Sequence, residues 1–454
     1  MKRLLCISLA MLLGGTAAMA QFVPSDSLRF RVSLRDKAAT TYSIDRPEEF
    51  LSPKALERRA KQKLMVDSTD LPVCEAYVKQ IQALGFRVQV RGKWENFVTV
   101  SCNDSSRVAE LRALPFVSQV KRVSRGSLVK ADKRVELAAA SPRTDSLYYG
   151  DAHEQIHLNS AHLLHNAGFK GQGISVAVID EGYHNVDIIP SMQNIRIAGT
   201  ADFVYPGADI YAEGTHGLQV LSCMAMNAPG VLVGSAPEAT YWLLRSEYAP
   251  TEHLVEQDYW AAAVEFADSV GVDIVNTSLG YNKFDDAEED YELRHLDGRH
   301  SLISRQASHM LGKGMLLVCS AGNSGRGSWK KITPPADAEG VLTVGAVRRD
   351  GEVAAFSSVG NTADGRIKPD VMAVGERTAL MQPDGQPGVA NGTSFSTPLM
   401  AGMAACLWQA LPHLTAAELL EVIRRAGDRV NYPDNIYGYG IPNLWEAYLR
   451  VLEQ

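Results

Sequence analysis

The pattern of apolar and polar positions changes character near residue 150 of the chain. Before that point, short apolar runs of strand type alternate with stretches of helical type. Their order is β-α-β-β-α-β, a split βαβ arrangement. The predicted elements lie at about residues 29–34, 73–84, 86–91, 96–102, 105–113 and 116–123. Residues 124–149 are charged, small and weakly periodic, so we expect a linker there.

A further basic helix is predicted behind the first strand, directly after Ser52 and Pro53. A charged helix face is most often solvated. We therefore expect a solvent-facing surface, not a binding patch, from its cations Arg58, Arg59, Lys61 and Lys63.

After residue 150, four apolar and β-branched runs do not alternate, which is typical of parallel strands covered on both faces. These runs lie at residues 174–180, 271–280, 314–323 and 340–347. Helical patterns accompany them at residues 216–226 and 258–270, and another apolar helix begins close to Ser394. The chain is therefore predicted to be an α/β protein with a doubly wound, mostly parallel sheet, preceded by a small α+β domain.

Composition and the N-terminal sequence indicate a globular, exported protein. The 454 residues are 46% hydrophobic and 21% charged, which suits two folded units, and a net charge of −7 gives no support to nucleic-acid binding. Residues 1–20 combine a charged start, an apolar stretch and an Ala-Met-Ala end, as a signal peptide does. No later run is long enough to cross a bilayer. We expect an exported protein, with periplasm, cell surface and medium left open.

The cysteine count argues against a dense disulfide framework. Loss of the leader removes Cys6 and leaves an odd number of cysteines, so at least one is unpaired within the chain. The pairing stays open among Cys74, Cys102, Cys223, Cys319 and Cys406.

Four polar residues of different chemistry fall at one predicted edge of the parallel sheet. Asp180 and Asn323 end strands, while His216 and Ser394 begin helices. Ligands of such sheets bind beyond the carboxyl ends of the strands. A serine at a helix N-terminus is a candidate nucleophile when a base and an orienting acid are near it.

The sequences around these residues resemble the signature blocks of the subtilisin-like serine proteases: VIDEGY at Asp180, EGTHGLQV at His216, SAGNSG at Asn323 and NGTSFSTP at Ser394. The order Asp, His, Ser is also that of the family. The resemblance implies that Ser394 is the nucleophile, His216 its general base and Asp180 the orienting acid, while Asn323 donates to the oxyanion.

The same resemblance implies two walls that pair with the substrate backbone, formed by Ser278, Leu279 and Gly280 and by Ser320, Ala321 and Gly322. It divides the chain into a signal peptide at 1–20, a propeptide-like domain with its linker at 21–150 and a catalytic domain at 151–454. The implied activity is that of an exported serine endopeptidase acting on proteins or peptides through an acyl-enzyme. The propeptide would be its own chaperone and inhibitor. No cofactor or metal ligand is implied, and a Ca²⁺ site is left open.

Two positions depart from the family pattern. Tyr281 stands where the family has a second glycine after Ser-Leu-Gly, and we expect its ring to narrow a side-chain pocket. Gly217 follows the histidine where the family usually has valine.

Three rival interpretations were weighed. His153-Glu154-x-x-His157 matches the H-E-x-x-H pattern of zinc metallopeptidases, but turn-like flanks leave little helix to carry such a site. The acidic run at 285–290 lacks the glycine turn of an EF-hand, and a solvated loop is expected. A non-catalytic binding protein on a protease fold is the third alternative.

Overall fold

The computed structural model describes residues 28–125, 134–138 and 147–453. The predicted signal peptide lies outside these residues, as do two parts of the predicted linker. Across the described residues, no helix combines the length and the apolar character that a membrane span needs.

The first domain is a four-stranded antiparallel sheet with the strand order β2-β3-β1-β4. Its own core includes Val32, Ile81, Val98 and Leu111, all fully buried. The predicted split βαβ order is observed, with the basic helix inserted as α1. The elements are β1 (Leu28–Leu34), α1 (Pro53–Lys61), α2 (Glu75–Ala83), β2 (Arg87–Gly92), β3 (Phe97–Cys102), α3 (Val108–Arg112) and β4 (Val117–Ser124).

The second domain is built on a seven-stranded parallel sheet, and it confirms the predicted α/β class. Its first elements are α4 (His153–His157), α5 (Ala161–Asn166), β5 (Ser175–Asp180), β6 (Arg196–Asp202), α6 (His216–Ala225), β7 (Asn227–Ala228), β8 (Leu232–Val233), β9 (Thr240–Arg245), α7 (Val255–Val270) and β10 (Ile274–Thr277). The remaining elements are α8 (Leu302–His309), β11 (Leu316–Ser320), β12 (Val341–Val347), β13 (Val371–Val374), β14 (Thr378–Met381), β15 (Pro387–Ala390), α9 (Thr393–Ala410), α10 (Ala416–Arg425) and α11 (Leu444–Leu452).

The strand order of the large sheet, β13-β12-β11-β10-β5-β9-β6, places its turning point at β5. The chain leaves β5 toward β9 and β6 on one side and later fills β10 to β13 on the other. Neighbouring connections therefore part at the carboxyl end of β5, which opens a crevice there. Asp180 is the last residue of this strand.

Helix α9 is buried along almost its whole length and contains Pro398. It packs against α6 and strands β10 to β13, so its apolar and small residues belong to the main core. The burial of α9 holds its first turn, with Ser394, at a fixed place beside α6.

Helix α1 corrects the expectation of a solvated basic face. Lys61 and Lys63 are exposed, but Arg58 and Arg59 are only 5% and 2% exposed. Both arginines pair with the fully buried Asp268 near the end of α7. An acidic partner 200 residues away in sequence cannot be seen in a local charge pattern.

Each of the five cysteines after the leader is a free thiol in the structure, and four of them are buried. The disulfides left open by the sequence are therefore not formed among Cys74, Cys102, Cys223, Cys319 and Cys406.

Candidate active site

The buried carboxylate of Asp180 holds the imidazole of His216. Its Oδ1 accepts a hydrogen bond from Nδ1 of His216 at 2.8 Å. Asp180 is fully buried at the end of β5, whereas His216 begins α6 and is partly exposed. The bond uses Nδ1, which leaves Nε2 as the ring atom that can act as a base.

The charge of His216 is also set by these neighbours. Burial by itself would lower the pKa of His216, but the charge and the hydrogen bond of Asp180 outweigh it and raise that pKa above its ordinary value. Glu181 and Glu247 add to the rise. A raised pKa makes the imidazole a stronger base.

Glu181 positions the start of α6, a role that the sequence did not reveal. Its Oε1 accepts the backbone N–H groups of Thr215 at 2.9 Å and of His216 at 3.0 Å. The first N–H groups of a helix have no partner within the helix, so an acidic side chain satisfies them well. Its place directly after Asp180 was the only available signal.

Ser394 lies in the first turn of α9, beside His216. The ring of the next residue, Phe395, has its centroid 5.7 Å from that of the imidazole. The Ser394 hydroxyl donates to the carbonyl oxygen of Ser278 at 3.3 Å, and Ser278 Oγ donates back to the carbonyl oxygen of Ser394 at 2.8 Å. The hydroxyl of Ser394 is therefore directed at Ser278 in this structure.

The side chain of Asn323 is held through its oxygen. Oδ1 accepts hydrogen bonds from the backbone N–H of Thr393 at 2.9 Å and from the Thr393 hydroxyl at 3.0 Å. Because the oxygen is engaged by two donors, the amide nitrogen is the group left to face a ligand. That nitrogen lies 3.6 Å from the position of a Cβ on Gly392, two residues before Ser394.

The two predicted walls lie side by side. Ser320 Oγ donates to the carbonyl oxygen of Leu279 at 3.2 Å, and Gly322 N–H donates to Thr393 Oγ1 at 3.1 Å. A Cβ on Gly280 would lie 2.1 Å from Thr333 Oγ1, so only glycine fits there. Thr333 Oγ1 is buried without a partner among the described residues, and no motif in the sequence indicated that Thr333 lies here.

Both departures from the family pattern have a structural cause. A Cβ on Gly217 would lie 2.3 Å from the carbonyl oxygen of Gly182, which leaves no room for valine. Tyr281 is 1% exposed and its hydroxyl donates to Glu247 at 2.5 Å. The expectation that its ring narrows an open pocket is wrong for this structure, because the ring is enclosed and stacks parallel to Phe284.

The H-E-x-x-H residues do form a short helix, α4, but they are engaged elsewhere. Nδ1 of His157 bonds the backbone oxygen of His153 at 2.7 Å, and Glu154 pairs with Arg349 at 2.9 Å. No group of three or more His, Cys, Asp or Glu side chains within the described ranges is arranged to hold a metal ion. The acidic run at 285–290 is included in that statement.

Comparison with known proteins decides the class of this site. The family model described as "Subtilase family" matches residues 171–440, more than half of the chain. The chain belongs to the subtilase family. A second model, the peptidase S8 propeptide domain of Bacteroidota, matches residues 29–136 of this subtilase. The chain is thus a subtilisin-like serine peptidase, a hydrolase of peptide bonds, with an N-terminal propeptide domain.

Curated relatives agree over most of the chain. Subtilisin NAT of Bacillus subtilis subsp. natto is 29% identical over 373 residues, which cover 81% of this chain and 84% of the relative. Serine protease AprX of Bacillus subtilis is 31% identical over 305 residues, 60% of this chain and 65% of its own. Subtilisin Savinase of Lederbergia lenta is 29% identical over 286 residues, 62% and 93% of the two chains.

Proposed function

We propose that this subtilase is an exported endopeptidase that cuts peptide bonds through an acyl-enzyme on Ser394. The single observation that carries this assignment is the 2.8 Å bond between Asp180 and His216, next to the first turn of α9. A serine is a weak nucleophile until a neighbouring base removes its proton. Asp180 orients the imidazole for this transfer and offsets the positive charge that His216 then carries.

The attacked carbonyl oxygen becomes negative, and Asn323 stabilises it. Its amide nitrogen faces the site because its oxygen is held by Thr393. The N–H groups at the start of α9 favour negative charge at the same place. His216 then gives its proton to the leaving amine, and water releases the acyl group by the reverse route.

Substrate pairs as an added strand with the backbone of the two walls, residues 278–280 and 320–322, which lie side by side. Main-chain pairing of this kind accepts many sequences. The fit suits protein or peptide substrates. The chemistry needs no cofactor, since every group that it uses belongs to the chain; whether Ca²⁺ adds stability is a separate property.

Maturation would remove the signal peptide at 1–20 and then separate the propeptide region, 21–150, from the catalytic domain, 151–454. The propeptide domain assists the folding of the catalytic domain, and it inhibits that domain until it is released. Secretion, periplasm and cell surface remain the alternative destinations, as the leader alone supports export.

The decisive experiment is labelling with a serine-directed phosphonate, followed by mapping of the labelled peptide. We expect the label on Ser394, none in Ser394→Ala, and no loss of activity with a zinc chelator. A label elsewhere, or inhibition by chelator alone, would contradict the assignment. Absence of labelling and of peptidase activity in a folded, processed chain would favour a binding protein.

A further inference from the structure

Residues 134–138 lie as a short extended peptide against the loop that follows β5. The guanidinium of Arg134 is shared by two carboxylates. Nη1 donates to both carboxylate oxygens of Asp187, at 2.9 and 2.8 Å, and Nη2 donates to Asp209 at 2.6 Å. These three contacts use the fork of donors that only arginine presents.

The backbone of the same segment is held by two buried side chains. Nε2 of His184 accepts the N–H of Val135 at 2.7 Å, and Nδ2 of Asn185 donates to the carbonyl oxygen of Val135 at 2.8 Å. His184 is 5% exposed and Asn185 is fully buried. Buried polar groups that bind both main-chain atoms of one residue form a peptide-binding site, which a surface ion pair alone would not.

This site adjoins the histidine side of the cleft. The backbone N–H of His184 donates to the carbonyl oxygen of Gly214 at 2.9 Å, and Gly214 precedes His216 by two residues. The proton of His216 goes to the leaving amine during peptide cleavage. The part of a substrate that leaves with that amine must therefore pass on this side.

The end of the propeptide sheet contacts the loop that follows β10 and Ser278. Arg122 of β4 pairs with Asp286 at 3.3 Å, and the nearby Phe284 stacks on Tyr281, three residues beyond Ser278. Ser278 in turn bonds Ser394. Arg122 thus lies on the acyl side of the site, and Arg134 lies on the leaving-group side. The chain between them passes the site in the same direction as a substrate.

We propose that His184, Asn185, Asp187 and Asp209 form a leaving-group subsite for an extended peptide that carries arginine. In the precursor, the chain's own residues 134–138 occupy it. In the mature enzyme it favours substrates with arginine at one position after the cut bond. This inference rests on the proposed function, because it presupposes cleavage at Ser394.

The chemistry also predicts the order of preference. Arginine reaches both carboxylates at once, whereas the ammonium of lysine is a single point charge that satisfies one of them. Citrulline keeps the shape but loses the charge. We therefore expect arginine above lysine, and lysine above citrulline and alanine.

The test uses peptides with one fixed acyl half and arginine placed at each of the first six positions after the cut bond. Matched peptides carry lysine, citrulline or alanine instead. Mature enzyme from the wild-type and Arg134→Ala precursors is assayed, the latter so that any released propeptide still bound to the enzyme carries no arginine at this position to compete. At one position we expect kcat/KM to be on the order of tenfold higher with arginine than with alanine.

The ratio of arginine to alanine peptides is then measured in the Asp187→Asn/Asp209→Asn double variant, and it should fall close to one. Glu446→Gln, which removes an exposed ion pair with Arg450 on α11, should keep the wild-type ratio. A ratio near one at all six positions in both enzymes would overturn the subsite, as would a preference that survives the double variant. Cleavage of a p-nitroanilide, which has no residue after the cut bond, reports separately on the proposed function. Loss of that cleavage in Ser394→Ala supports the proposed function whatever the arginine ratio is. The proposed function and the subsite can therefore fail separately.

Discussion

The amide of Asn323 is held in one orientation, because two donors from Thr393 engage its oxygen. In the proposed mechanism its nitrogen therefore needs no reorganisation when the oxyanion forms. In the same mechanism Ser394 is different, because its hydroxyl first has to leave the carbonyl oxygen of Ser278. The two residues should therefore fail in different ways when they are replaced.

We expect Ser394→Ala to lose far more activity than Asn323→Ala. Removal of the nucleophile abolishes the covalent route, and in subtilisin such losses are about 10⁶ in kcat. Removal of one oxyanion donor costs roughly 10²–10³ in kcat, or about 2.7–4 kcal/mol. That donor acts mainly in the transition state, so KM should hardly change. Steady-state kinetics of the two purified variants measure both effects.

Maturation offers an independent comparison of the same two variants. The serine variant should keep its propeptide after signal removal, whereas the asparagine variant should process slowly. Normal kcat in Asn323→Ala, or self-processing of Ser394→Ala in a protease-free preparation, would be inconsistent with these roles.

The pH dependence follows from His216. Its pKa is raised by Asp180 in spite of burial, and the imidazole must be neutral to act as a base. The active form therefore accumulates only as pH rises through a value above about 6.5. A pH profile of kcat/KM should have its lower limb there and stay level into mild alkali. Maximal activity in acid would refute the assignment.

Glu247 supplies a control for this profile. Its charge contributes to the raised pKa of His216, so Glu247→Gln should move the lower limb of the profile toward acid. Glu446→Gln, which removes an exposed ion pair on α11, should leave the limb in place.

At the scale of whole elements, α1 is the least expected part of the molecule. Arg58 donates to the backbone oxygens of Lys313 at 3.1 Å and of Asp268 at 3.3 Å. Gln62 bonds Gly314 and Ala416 at 2.8 and 2.9 Å. These partners lie where β10 and β11 begin and where α10 begins, at the edge of the sheet opposite Asp180. The propeptide domain therefore contacts the catalytic domain at both ends of its parallel strands.

A propeptide segment of residues 21–123 added in trans should slow cleavage of a peptide by the mature enzyme. Arg58→Ala in that segment should weaken inhibition roughly 30-fold or more, because loss of a buried charged partner costs about 2–5 kcal/mol. Lys61→Ala, from the exposed side of α1, serves as the matched control and should inhibit normally. The inhibition constants of the three segments decide the matter.

Equal inhibition by the Arg58 variant would show that the contacts of α1 with the catalytic domain contribute nothing to affinity. Failure of even the unaltered segment at large molar excess would instead remove the inhibitory role.

The elements that the sequence predicted are those whose signal is local. Continuous apolar runs indicated β5, β10, β11 and β12, whereas β6, β9 and β13 of the same sheet were missed. The edge strand β6 is exposed at alternate positions, and β13 has only four residues. The sequence could place the four site residues at one edge of the sheet. The carboxyl ends of parallel strands and the starts of the following helices lie on the same side of such a sheet. Roles that depend on distant neighbours could not be predicted: Glu181 below α6, Thr333 beneath Gly280, and Asp268 beneath Arg58.

At the scale of the whole molecule, three partly or fully buried carboxyl groups lie between the end of β9 and the first turn of α7. Burial, with neighbouring negative charges, raises the pKa of Glu247 to about 7 and of Glu252 to about 8. The pKa of Glu256 is raised well above its usual range for the same reasons. These groups bind more protons in the folded chain than in the unfolded chain, so stability falls as pH rises.

The pH dependence of stability should therefore change when one of these carboxyl groups is removed. Between pH 6.5 and pH 8 unfolded glutamates are ionised while Glu247 and Glu252 are still losing their protons, so these two groups lower the Tm of the Ser394→Ala precursor as pH rises. Histidines whose pKa is lowered by burial, such as His165, act in the opposite direction. Adding Glu252→Gln should shift the Tm difference between the two pH values upward, and Glu446→Gln should leave it unchanged. Calorimetry measures this difference, and no change in the Glu252→Gln variant would contradict the assignment.

The contacts between α1 and the catalytic domain also determine the order in which parts of the chain can fold. Arg58 leaves the ribosome 255 residues before Lys313, and Gln62 precedes Ala416 by 354 residues. A helix made first must wait for its partners, so its contacts close only after nearly the entire polypeptide has been synthesised and, for an exported chain, translocated. Contacts this distant in sequence form late and slowly. The contacts between α1 and the catalytic domain therefore belong to the last steps of folding.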